Sequence, residues 1–105
     1  MSSDIHVASG SPGVGDSVAI HGRITIATSE QMRRMLSDAL RAKPTNVSVD
    51  LSDVSYIDTS GLATLVEAFW TANKQATRLV LVGIQGQPQF LLKITRLDRL
   101  FGIAR

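Results

Sequence analysis

Asp58, Thr59 and Ser60 stand in succession before Gly61 in the stretch "YIDTSGLA", residues 56–63. A carboxylate beside two hydroxyls could serve as a nucleophile with its base, as half of an acid pair, as a site to be modified, or as the cap of a helix. Nucleophilic catalysis needs a base within hydrogen-bond reach of the hydroxyl, and neither His6 nor His21 has local context that marks it as that base. Acid–base catalysis by paired carboxylates needs two of them sharing one proton. Here Ser60 separates the acid and threonine from the glycine, no second copy of the motif exists, and a helical pattern follows. The cluster therefore reads as non-catalytic, and no residue of the chain is assigned as catalytic.

Two other groups of residues invite chemistry and fail on inspection. "GSPGVGDS", residues 10–17, has the glycine and serine positions of a phosphate-binding loop, but Asp16 stands where the lysine belongs. That sets a negative charge against a phosphate, and a strand-like segment follows where a helix is required. His6 and His21 lack the spacing of further ligands that a zinc site needs, and the chain has no cysteine. No cofactor or metal is expected. The formal net charge of +2, with five aromatic residues not interleaved with the basic ones, argues against a nucleic-acid partner. No apolar run approaches the length of a membrane span, and "MSSDIHVASG" carries no basic leader and apolar core for export. No membrane insertion and a cytoplasmic location are expected.

The 105 residues, 44% hydrophobic and 19% charged, suit one domain over residues 1–105. Residues 5–8 and 17–21 show partial apolar alternation about a turn-rich "SGSPGVGD" and read as a hairpin. From Thr28 or Ser29 the period changes. Met32, Met35, Leu36, Ala39 and Leu40 recur at helical spacing, and this amphipathic helix ends near Pro44. In "NVSVDLSDV", Val47, Val49 and Leu51 alternate with Ser48, Asp50 and Ser52, which predicts a strand with unequal faces leading into the acid and hydroxyl cluster. A second helix is predicted over residues 59–73 and a buried strand over 78–83. A third helix has Pro88 in its first turn and contains Phe90, Leu91 and Ile94. Leu97, Leu100, Phe101 and Ile103 close the core. Strands alternating with helices predict an α/β fold: a mixed, mostly parallel sheet after an N-terminal hairpin, with right-handed crossovers and helices mainly on one face.

The cluster thus falls where a parallel strand ends and a helix begins, the edge where open α/β sheets usually place their sites. One oxygen suffices to cap a helix, and three side chains here offer one. A hydroxyl at this turn would be exposed, and a phosphate on it would sit at the positive end of the helix, with Gly61 keeping the approach clear. Phosphorylation would add roughly −1.5 to −2 charges and repel a docked partner. On the second helix Leu62, Leu65, Val66, Phe69 and Ala72 share a broad face, expected to be core. Ala63 and Trp70 lie near the azimuth of Thr59 and are expected on the partner surface, with Trp70 covering the sheet edge as the alternative.

"VSVDLSDVSYIDTSGLATLVEA", residues 47–68, resembles the STAS domain family, the sulfate transporter and anti-sigma factor antagonist domains, in its strand, hydroxyl-bearing turn and helix. "GRITIATSEQMRRML" before it and "RLVLVGIQGQPQFLLKITRLDRLFGI" after it fall in the order of that family. The resemblance implies a single STAS-like domain acting as a bacterial anti-sigma factor antagonist. Such a protein binds an anti-sigma factor kinase and thereby releases a sigma factor. It further implies that this kinase, using its own ATP, phosphorylates Thr59, with Ser60 as the alternative acceptor, and that a phosphatase restores the binding form. Asp58, Ser60 and Gly61 would support the phosphosite, Ser60 chiefly by capping. The family's Gly-Glu-Leu-Asp stands here as Gly22, Arg23, Ile24 and Thr25, which adds Thr25 to the expected partner surface with Thr59, Ala63 and Trp70. The chain would then be substrate and switch, a monomer or weak homodimer, and not an enzyme. The other role in the family is a non-phosphorylated accessory subunit of a lipid-transporting ABC complex. With little chain left after Phe101, the last sheet edge is expected to be bare or paired with a second copy.

Overall fold

A computed structural model describes residues 15–104. Strand β1, Gly15–Ile24, leads through a short loop into helix α1, Ser29–Arg41. Strand β2, Asn46–Ile57, runs into helix α2, Thr59–Lys74, across the single residue Asp58. Strand β3, Arg78–Val82, helix α3, Gly86–Ile94, a 3-10 turn at Leu97–Arg99 and strand β4, Gly102–Ala104, complete the order. The four strands lie in sequence order, β1-β2-β3-β4, and every pairing is parallel. A parallel sheet wound steadily in one direction by right-handed crossovers puts its connecting helices on one face. Burial agrees: Val18 and Ile20 of β1, Val47, Val49 and Leu51 of β2, and Leu79 and Leu81 of β3 are all buried, while Ser48, Asp50, Val80 and Val82 between them are only half-buried.

The parallel α/β layout matches the expectation. The strand expected over residues 17–21 is present within β1, and the other arm of the hairpin, residues 5–8, lies outside the described residues. The glycine-rich look-alike also falls mostly outside them, and its last residues, from Gly15, already belong to β1. One expectation is overturned at the other end: β4 occupies the edge of β3, with Val80 opposite Gly102 and Val82 opposite Ala104. Buried Phe101 anchors this segment, its ring 5.6 Å from that of Phe69. The edge of β3 is therefore neither bare nor free for a second copy.

Helix α1 buries Met32, Leu36 and Leu40 one turn apart, with Met35 and Ala39 packed beside them. Helix α2 buries Gly61, Leu62, Thr64, Leu65, Ala68 and Ala72, so its inward stripe is centred on small residues, and Val66 and Phe69 sit at its flank, not at its centre. Buried Thr64 is satisfied within its own helix, donating to the Ser60 carbonyl at 2.9 Å. Small residues bring the start of α2 close to the sheet. A Cβ on Gly61 would lie 2.6 Å from Ile24 Cγ2 and 2.7 Å from Ile57 Cγ1. On α3 the core takes Pro88 and Leu92, while Phe90 and Ile94 face outward, 61% and 59% exposed.

Strand β2 outruns β3, and its pairing with β3 ends at Asp50 opposite Val82. Beyond that point side chains take over the bonds of the missing strand. Asp50 Oδ1 accepts from Ser52 N at 2.9 Å, and Gln85 Nε2 donates to the Ser52 carbonyl at 3.0 Å. The Gln87 carboxamide pairs with Ile57 as a strand residue would, its Oε1 accepting from Ile57 N and its Nε2 donating to Ile57 O, both at 2.8 Å. Buried backbone groups need partners wherever they fall, and this substitution is what lets β2 reach the turn at Asp58 intact. Gly83, with φ of +71°, turns the chain away at the end of β3, where a Cβ would lie 2.8 Å from Ser52 Cβ.

Candidate functional site

The turn between β2 and α2 is organised by Asp58. Its backbone is extended, with φ −101° and ψ −174°, and its side chain caps α2. Oδ1 accepts from Ser60 N at 2.9 Å, from Gly61 N at 3.1 Å and from Ser60 Oγ at 2.5 Å. Asp58 N donates to Ile24 O at 3.0 Å, which stitches the turn to the end of β1. The remaining oxygen, Oδ2, accepts from Ile26 N at 3.2 Å. With four donors on it, the carboxylate is held below the usual carboxylate range, first by the Ser60 hydroxyl and then by the amides of Gly61, Ser60 and Ile26, against the opposing effect of desolvation. A carboxylate so engaged is a poor general base.

Thr59 is the exception in this turn. It is exposed, while Asp58 and Ser60 on either side are half-buried, and its hydroxyl makes no hydrogen bond among the described residues. Ser60, expected to be the cap, donates to the cap instead, because only an acceptor-only group can take two amides and a hydroxyl together. Gly61 is buried against Ile24 and Ile57, so its missing side chain serves helix-on-sheet packing; clearing an approach for phosphate is not what it does. The amides of Ser60 and Gly61 at the start of α2 are taken by Asp58.

Of the residues expected on a partner surface, three gather. Thr25 lies in the loop after β1, where its carbonyl accepts from Thr28 N at 2.9 Å and Ser29 N at 2.7 Å and its hydroxyl accepts from Ala27 N at 3.2 Å. The Ile26–Asp58 bond holds that loop against the turn. Ala63 is exposed one helical turn beyond Thr59. Trp70, 50% exposed, shares the azimuth of Thr59 but lies about 16 Å further along the helix axis, and its ring meets Phe69 edge-on at 5.3 Å. It is not part of the turn. Between them on the same side, Arg33 of α1 reaches Glu67 of α2 and Glu30 of its own helix, each at 2.7 Å.

Two residues of the site had not been picked out in the sequence. Gln87 carries no local signal, since its role appears only when β2 outruns β3. Ile26, 81% exposed, extends the alternation of Ile20 and Ile24 and so reads as one more inward strand residue; the strand in fact ends at Ile24. Among the described residues no three of His, Cys, Asp or Glu converge to hold a metal, and no helix is long and apolar enough to cross a membrane.

A one-sided parallel sheet whose second strand leads into a capped, hydroxyl-bearing turn, with the Thr59 side chain exposed, defines a small α/β module. The STAS domain model matches residues 10–105, and the chain belongs to that family. Four solved structures share the fold. An anti-sigma factor antagonist from Mycobacterium paratuberculosis is 19% identical with a TM-score of 0.84, over 94% of this chain and 84% of that one. A putative anti-sigma factor antagonist from Thermotoga maritima is 19% identical with the same TM-score of 0.84, over 92% of this chain and 84% of that one. The anti-sigma factor antagonist SpoIIAA in its unphosphorylated form is 16% identical with a TM-score of 0.77, over 95% of this chain and 89% of that one. The Bacillus SpoIIAA structure in the phosphorylated form superposes with a TM-score of 0.71 at 16% identity, over 95% of this chain and 92% of that one.

Proposed function

We propose that this protein is an anti-sigma factor antagonist that binds an anti-sigma factor kinase and is switched off by phosphorylation of Thr59. The observation that carries the reading is the contrast within the turn: Asp58 and Ser60 are bonded to each other, while the Thr59 hydroxyl between them is exposed and unbonded among the described residues. An acceptor that must enter another protein's active site needs that freedom. Support also comes from the relatives, several of which are called anti-sigma factor antagonists, one of them in a phosphorylated form.

In the transfer, Thr59 Oγ1 forms the bond to the γ-phosphorus of the kinase's ATP as the bond from that phosphorus to the β,γ-bridging oxygen breaks. ADP leaves, and the hydroxyl proton passes to a base of the kinase. The chain supplies the acceptor and its setting and no catalytic group. Unmodified, the surface formed by exposed Ile26, Thr59 and Ala63 with half-buried Thr25 docks on the kinase and frees the sigma factor. A phosphatase removes the phosphoryl group and restores docking. The test is incubation with the candidate kinase and ATP, mapping by mass spectrometry, and a pull-down of Thr59→Ala against Thr59→Asp. Thr59 is expected to be modified and the acidic variant to lose the kinase. A chain unmodified at Thr59 and Ser60, with both variants binding alike, would sink the proposal.

A further inference from the structure

We infer that Asp58 couples the state of Thr59 to the presentation of Ile26, so that a phosphoryl group on the threonine withdraws an apolar docking contact as well as adding charge. This rests on Thr59 being the acceptor. Ile26 is the most exposed large apolar residue among those described, at 81%, and it sits beside the acceptor turn. Its backbone N–H has one acceptor among the described residues, Asp58 Oδ2 at 3.2 Å. The other oxygen of the same carboxylate holds the first turn of α2 through Ser60 and Gly61. One planar group therefore fastens two loops, and neither bond set can be given up by rotation without disturbing the other.

A phosphoryl group on the adjacent residue carries roughly −1.5 to −2 charges and three acceptor oxygens. The amides of Ser60 and Gly61 lie at the positive end of the 16-residue α2 and attract any anion. Two anions within one turn repel, and the more highly charged one has the stronger claim on those amides. The carboxylate displaced from them takes Oδ2 with it, and the Ile26 amide loses its acceptor. The rest of the loop keeps its own bonds: Thr28 Oγ1 donates to Arg23 O at 2.9 Å and accepts from Thr25 N at 2.9 Å, and Ser29 N donates to Thr25 O at 2.7 Å. The response is thereby confined to the tip that bears Ile26, and the module does not unfold.

The test uses the full chain with phosphothreonine installed at position 59 during translation, compared by nitrogen-15 NMR with the unmodified chain, so that no kinase is involved. The Ile26 amide is expected to move and to exchange with water about tenfold faster, the loss of one modest hydrogen bond, while the Thr28 and Ser29 amides hold their positions. Asp58→Ala in the unmodified chain is expected to reproduce the Ile26 change. An Ile26 amide with unaltered shift and exchange in the phosphothreonine chain overturns the coupling, and so does an unaltered one in a folded Asp58→Ala chain. If instead Ile26 responds but no kinase modifies Thr59, the coupling stands and the proposed function fails, so the two failures are told apart.

Discussion

Thr59 and Gly61 are two residues apart in one turn and should answer substitution in opposite ways. The Thr59 side chain is exposed and makes no hydrogen bond among the described residues, so Thr59→Ala is expected to leave stability within about 0.5 kcal/mol of the parent. Gly61→Ala places a methyl 2.6 Å from Ile24 Cγ2 and 2.7 Å from Ile57 Cγ1, both on buried, β-branched side chains with little room to turn. Overpacking of that kind costs about 1–3 kcal/mol, read as a lower urea midpoint. An equal response of the two variants would mean that the start of α2 does not sit so tightly on the sheet. The glycine shows why residue roles were only half legible in the sequence. That an acid, two hydroxyls and a glycine made a helix start was evident from their types. What the glycine avoided, and what the second oxygen of the capping Asp58 holds, depended on Ile24 at the end of β1 and Ile26 in the loop after it, and no spacing within the motif encodes that.

The elements were more legible than the roles, with one instructive gap at the end of β2. Helices α1 and α2 announce themselves through period, and the core stripes at Met32, Leu36 and Leu40 and at Leu62 and Leu65 are where that period puts them. Strand β2 alternates cleanly through Leu51 and then spaces its buried residues by three, at Val54 and Ile57. Register shifts against β1 at Ala19/His21 and Gly22/Arg23 absorb the extra residues and keep the same face inward. A strict two-residue period therefore stops before the strand does. Because this extension has no β3 beside it, Gln87 substitutes for a strand, and Gln87→Ala is expected to cost about 1–3 kcal/mol by leaving Ile57 N and O without their partners. Thermal denaturation would measure the loss. Gln87→Glu keeps an acceptor for Ile57 N but, when ionised, no donor for Ile57 O, so it should fall between Ala and the parent. A Gln87→Ala chain as stable as the parent would show that water fills the role as well.

For the molecule as a whole, acid is the condition that most directly probes the end of β2, because among the described residues the acids held below the usual carboxylate range are Asp50 within β2 and Asp58 just after it. Asp50 is lowered first by the Ser52 amide, then by the Ser52 hydroxyl and by His21, and Asp58 first by the Ser60 hydroxyl. In the unfolded chain both titrate near the ordinary value of about 3.9. Above that value they are ionised in both states and their contribution to stability is fully present. As the pH falls below it, the unfolded chain takes up protons that the native carboxylates refuse, and the contribution drains away until the native values are passed. The loss is compounded as the nine acids are neutralised and the eleven lysines and arginines are left to repel one another. Urea midpoints measured from neutral pH downward should therefore hold level and then drop through the carboxylate range. The double variant Asp50→Asn/Asp58→Asn should start lower at neutral pH, having lost its charged acceptors, and fall less steeply in acid. Parallel acid limbs in the two proteins would mean that general charge repulsion, and not the anchoring of the turn, governs acid unfolding. A shallower limb in the variant would place the acid sensitivity of the fold at the turn that presents Thr59.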